Sequence, residues 1–221
     1  MKNLLTEFIG TFFLVLTIGL TVLSGTPFAP LAIGSALMAM VYMGGHVSGA
    51  HYNPAVSLAV ALRGRLPMSQ LVPYWISQIV GALLASFVVH LMLGKTFAPA
   101  PAPGIGTLQA LLGEILFTFA LALVVLNVAT LRATAGNSYY GLAIGFTVAA
   151  GAFSVGPISG GAFNPAVAFG ATAGAALFQH GSWSDLWIYL AGPLLGAAIG
   201  AGIHVLQARA EPVPPETSVR E

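Results

Sequence analysis

Residues 47–59 read VSGAHYNPAVSLA and residues 158–170 read ISGGAFNPAVAFG. Each holds the run Asn-Pro-Ala-Val, and the two asparagines, Asn53 and Asn164, lie 111 residues apart. Asn caps a helix N-terminus well because its side-chain oxygen accepts an otherwise unpaired backbone N–H. Pro suits the next position, where its missing N–H has no intrahelical partner. Asn53-Pro54-Ala55 and Asn164-Pro165-Ala166 therefore each predict a helix start. The apolar runs that follow, about 54–62 and 165–176, are too short for a bilayer core that needs roughly 20 residues per helix. Irregular backbone at membrane depth survives only where protein buries it or where it lines a wet cavity. Two re-entrant half-helices meeting near mid-membrane are the expectation.

The composition requires a membrane. The 221 residues are 57% hydrophobic and 6% charged, with mean hydropathy +0.90, whereas soluble domains are about 25% charged. Cysteine is absent, which excludes disulfides and thiol chemistry. A net charge of +1 with scattered Lys and Arg excludes a nucleic-acid partner. Lys2 and the apolar run behind it resemble a signal peptide, but Glu7 interrupts the run and no small-residue cleavage site follows. The stretch is read as a first membrane helix.

Six stretches are long and apolar enough to span: about 4–24, 29–46, 69–93, 107–130, 138–154 and 184–207. Residues 96–106 read as a loop, and 209–221 as a polar, Pro-rich cytoplasmic tail. If the spans alternate, Lys2, Arg63, Arg65, Arg132, Arg209 and Arg220 share one side and Lys95 alone takes the other. Positive charge marks the cytoplasmic side, so both termini are expected there.

Other features recur at nearly the same interval as the triplets. TEFIGTFFL (6–14) matches GEILFTFAL (113–121), which sets Glu7 against Glu114, and SQIVGALL (77–84) answers GPLLGAAI (192–199). Each half, about 1–100 and 107–208, reads as helix, helix, half-helix, helix. Three spans per half is odd, so the second half enters from the opposite side, as in inverted repeats whose site forms at the midplane. The predicted fold is an all-α bundle of six transmembrane helices and two re-entrant half-helices, forming one domain.

The two triplets, Glu7, Glu114 and YWISQIVGA (74–82) together resemble the aquaporins, or major intrinsic proteins, over about residues 4–207. The resemblance implies a passive channel in a lipid bilayer, usually a homotetramer with one pore per subunit. It implies that Asn53 and Asn164 cap their half-helices and still offer N–H groups to the pore. The paired positive helix ends would then disfavour protons and cations. It also implies that Glu7 and Glu114 support the re-entrant loops and that His46 lies at the cytoplasmic mouth, as a pore-lining or gating residue. From burial costs alone, Glu7 could instead sit at the cytoplasmic interface, and His51 reads equally as a packed, hydrogen-bonded histidine.

One departure matters. Most relatives carry Arg after the second triplet, and here that residue is Val167. Counting back from the triplets places the other filter positions at Ile33, Ala152 and Gly161. This set has no charge, ring or imidazole. It predicts a wide, weakly polar constriction passing water and small uncharged solutes: glycerol, urea, ammonia, hydrogen peroxide or neutral metalloid acids. Ala168 replaces the Asp of glycerol channels, which argues against a dedicated glycerol facilitator. In the alternative, Phe153 or Phe163 fills the space and the pore is narrow and water-selective.

A coupled secondary transporter would need titratable groups at the midplane, where only Glu7 and Glu114 are available. A hydrolase built on Ser48 or Ser159 with His46 or His51 lacks a plausible triad. No catalytic residue, cofactor or metal site is expected. The short loops suit a prokaryotic inner membrane.

Overall fold

The computed structural model describes residues 1–209, without the Arg209 side chain; of the tail expected over 209–221, Arg209 ends the last helix and the rest lies outside the described residues. Every regular element among them is helical. The order is α1 (Lys2–Ser24), α2 (Ala29–Ser48), α3 (Pro54–Leu62), α4 (Met68–Leu93), α5 (Thr107–Thr130), α6 (Tyr140–Ser159), α7 (Pro165–Gln179) and α8 (Leu186–Arg209). Six of these are long and apolar enough to cross a membrane. The two short ones are α3 and α7, which begin at the two prolines as the caps require.

Two boundaries differ from the sequence reading. Helix α6 was expected over 138–154 but runs to Ser159, through Pro157. Gly160 ends it instead: at φ 89° its N–H reaches the Gly156 carbonyl, a left-handed cap that glycine adopts without strain. Helix α2 ends in the same way at Gly49, φ 89°, on the Gly45 carbonyl. The Ser-Gly pair before each triplet is thus a helix stop. Helix α7 extends past residue 176 to Gln179, where His180 takes the left-handed conformation.

The long helices pack in pairs that need small residues. At Gly81 an added Cβ would strike the backbone of Phe8 and Phe12, so α4 crosses α1 at backbone distance. At Gly196 it would strike the backbone of Ile115 and Phe119, so α8 crosses α5 in the same manner. Membrane helices associate through such small-residue contacts because lipid offers no hydrophobic drive between them. Large apolar side chains such as Leu91, Leu108 and Leu177 remain 65% exposed or more, which suits a surrounding of hydrocarbon. The main core runs through the bundle, with Val56, Ala59 and Val60 of α3 and Ala166 and Val167 of α7 among its buried members, and Ala110, Ala168, Ile188 and Tyr189 form a smaller one.

Candidate functional site

The site begins with two buried carboxylates. Glu7 is 0% exposed, which removes the interfacial reading. Its Oε1 accepts from Ser48 Oγ (2.6 Å) and the His51 N–H (3.0 Å). Its Oε2 accepts from the Tyr52 N–H (2.7 Å) and Gln78 Nε2 (2.8 Å). Glu114, also 0% exposed, accepts from Ser159 Oγ (2.8 Å), the Ala162 N–H (3.0 Å) and the Phe163 N–H (2.7 Å). Charge-assisted bonds of this kind are about twice as strong as neutral ones. They hold a strained backbone, for Ala50, Tyr52 and Phe163 have φ of 51–52°, a left-handed state that costs a non-glycine residue about 1–2 kcal/mol. Tyr74 Oη donates to the Ser48 carbonyl at 2.8 Å. Tyr189 Oη donates to the Ser159 carbonyl.

So held, the two loops bring the half-helices N-terminus to N-terminus. Asn53 Oδ1 accepts from the Ala55 N–H (2.9 Å), and Asn164 Oδ1 accepts from the Ala166 N–H (2.9 Å) and the Val167 N–H (3.4 Å). Their amide groups cross over: Asn53 Nδ2 donates to the Phe163 carbonyl and Asn164 Nδ2 to the Tyr52 carbonyl, both at 2.8 Å. Each amide carries two N–H donors, so one remains on each Asn for a guest. The helix dipoles add a partial positive charge of about +0.5 apiece at the same place.

Asn53, Asn164, Ile33, Ala152, Gly161 and Val167 all line one cavity of about 360 Å³, whose lining carries no charged side chain. The four filter positions counted from the triplets are thereby brought together with both asparagines. Pro54, Ala55, Pro165 and Ala166 are buried behind them. Phe153 is 52% exposed, so it fills nothing. Phe163 lines the cavity, and its ring lies against Phe117, with centroids 5.7 Å apart.

A second cavity, about 870 Å³, opens at the other end. It is lined by His46, Arg65 and Arg132, and it shares His51, Val125 and Ile144 with the first. His51 therefore sits where the two meet. It is buried, and its Nδ1 lies 3.1 Å from Ser57 Oγ, which also accepts from Gln78 Nε2 at 2.9 Å. Ser48 and Ser159 bind the carboxylates, and among the described residues neither hydroxyl has a histidine partner. No group of three or more His, Cys, Asp or Glu among the described residues could hold a metal.

The Ser57–Gln78 link and the two tyrosines escaped the sequence reading. Tyr74 and Tyr189 stand 115 residues apart, the same interval as Gly81 and Gly196, which was the available signal. The loop after α4 also lines the first cavity, through Phe97, Ala98, Pro99 and Ala100. No periodicity marks those residues.

Residues 1–204 match the family model of the major intrinsic proteins. The chain belongs to the major intrinsic protein family. Among similar proteins, Aquaporin NIP1-4 of Oryza sativa subsp. japonica is 40% identical over 216 residues, covering 93% of this chain and 77% of that one. Nodulin-26 of Glycine max is 34% identical over 214 residues, covering 92% and 77%. The aquaglyceroporin structure from Plasmodium falciparum superposes with TM-score 0.83, covering 92% of this chain and 94% of that one, and at 21% identity it speaks for the fold alone. This major intrinsic protein is thus an integral, multi-pass membrane protein with the aquaporin fold. The relatives named with it here by sequence are plant proteins, and the expected prokaryotic inner membrane finds no support among them.

Proposed function

We propose that the chain is a passive channel for water and small uncharged solutes. Asn53 and Asn164 are its central donors, and Ile33, Ala152, Gly161 and Val167 form its outer constriction. The observation that carries this reading is the uncharged cavity on which all six residues meet. A molecule there finds N–H donors and positive helix ends at the centre, which receive water or a hydroxyl oxygen and oppose cations and protons. At the outer level it finds no side-chain donor, so passage is set by size more than by polarity. Glycerol, urea, ammonia, hydrogen peroxide and neutral metalloid acids are the solutes to examine.

The carboxylates support a channel over a coupled transporter. Glu7 accepts from four donors and Glu114 from three, all of them spent on loop support. Neither lines either of these two cavities. The doubled networks and helix crossings support an inverted repeat with halves at 1–100 and 107–208. Arg65 and Arg132 around the wide cavity support cytoplasmic termini, with His46 at that mouth. A homotetramer is part of the same reading.

Replacing Val167 by Arg tests the outer constriction. Val167→Arg should keep water flow within about twofold and lower glycerol and urea permeability at least about tenfold. Stopped-flow light scattering on reconstituted vesicles measures both. Equal solute permeabilities in parent and variant would refute the assignment.

A further inference from the structure

We infer that Phe97, on the loop between α4 and α5, sets the size limit of the outer pore. It supplies from a loop the bulky wall that Ile33, Ala152, Gly161 and Val167 lack. The inference rests on the channel reading above and adds a fifth side chain to its constriction.

Phe97 lines the same cavity as the other four. Its ring does not lie over the bundle but enters it. A Cβ at Gly19 of α1 would sit 2.6 Å from Phe97 Cε1, so the bare glycine is what admits the ring. Val89 of α4 borders the same notch, with Cγ2 2.6 Å from that Cβ position. Gly19 precedes the last residue of α1, Ser24, by five residues, a depth of about 7.5 Å at 1.5 Å per residue. Ile33 lies four residues into α2, which begins at Ala29, a depth of about 6 Å. Ring and filter therefore stand at nearly one level.

The loop is pinned on both sides of Phe97. Before it, Thr96 donates through its N–H (3.0 Å) and Oγ1 (2.5 Å) to Gln179 Oε1, the end of the helix that carries Val167. After it, the Ala102 N–H donates to the Ile158 carbonyl at 3.0 Å. Pro99 and Ala100 lie against Gly160, where a Cβ would approach their backbone to 3.1–3.2 Å. The loop is thus registered to α6 and α7, the elements that supply Ala152 and Val167. A partly buried ring held this way cannot swing aside as a free loop residue would. It also offers no donor, so it sorts uncharged solutes by cross-section.

Phe97→Ala and Phe97→Trp test this in opposite directions. Each variant is reconstituted, checked for native helicity and monodispersity, and assayed for water, urea and glycerol permeability. The ratio of glycerol to water permeability should rise at least about threefold in Phe97→Ala and fall by a similar factor in Phe97→Trp. Loss of fold would instead lower water and glycerol together, and the opposed variants separate that from a change of size limit. Ratios unchanged in both folded variants, with the parent passing glycerol, would overturn the role of Phe97 and leave the channel reading intact. A parent that passes water alone would refute the wide constriction. Phe97→Ala must then admit urea or glycerol for the inference to stand, and failure to do so overturns it.

Discussion

At the scale of single residues, the two glutamates explain why a strained loop can persist inside a membrane. Each gathers backbone N–H groups that regular helix leaves unpaired, and each is itself stabilised by those hydrogen bonds. Glu114→Gln should cost about 1–3 kcal/mol, because the amide nitrogen that replaces one oxygen confronts a donor rather than accepting from it. Thermal unfolding in detergent would show the loss, and water permeability should drop with it as the Asn164 loop loosens. The repeat set the two glutamates against each other, but their loop-support role came from the family resemblance, and burial cost alone left Glu7 open to an interfacial place. What the repeat could not show was that Gln78, Ser57 and His51 join in one network beside Glu7; the corresponding positions of the second half are Pro193, Ala168 and Ala162.

At the scale of elements, capping and close approach decide the architecture. The half-helices start where Asn and Pro dictate, and their length was nearly right in the sequence. The end of α6 was not: the helix runs through Pro157, and Gly160 is the stop. The outer loop was correctly taken as irregular, yet its entry into the cavity was invisible: Phe97 belongs to no periodic face, and its seat at Gly19 lies far away in the chain. The helix crossings can be tested with glycines alone. Gly196→Ala places a methyl against the backbone of Ile115 and Phe119, and overpacking of this sort costs about 1–3 kcal/mol. Gly202 has nothing within 4 Å of an added Cβ, so Gly202→Ala should be neutral or should stabilise α8 by up to about 1 kcal/mol. Parallel melting curves of the two variants would check the contrast.

At the scale of the whole molecule, two half-helices meet at an uncharged cavity that shares His51, Val125 and Ile144 with a second one, and neither cavity is lined by a carboxylate that could couple it to an ion. Such a device dissipates gradients of neutral solutes without storing energy in any of them. The most direct measurement is stopped-flow osmotic shock on purified protein in vesicles, with water, urea and glycerol compared at matched pH and ion composition on both sides. Protein-containing vesicles should equilibrate all three faster than empty ones, with no ion or proton gradient imposed and with proton leak unchanged. Transport that appears only when such a gradient is applied, or acceleration confined to water, would contradict it.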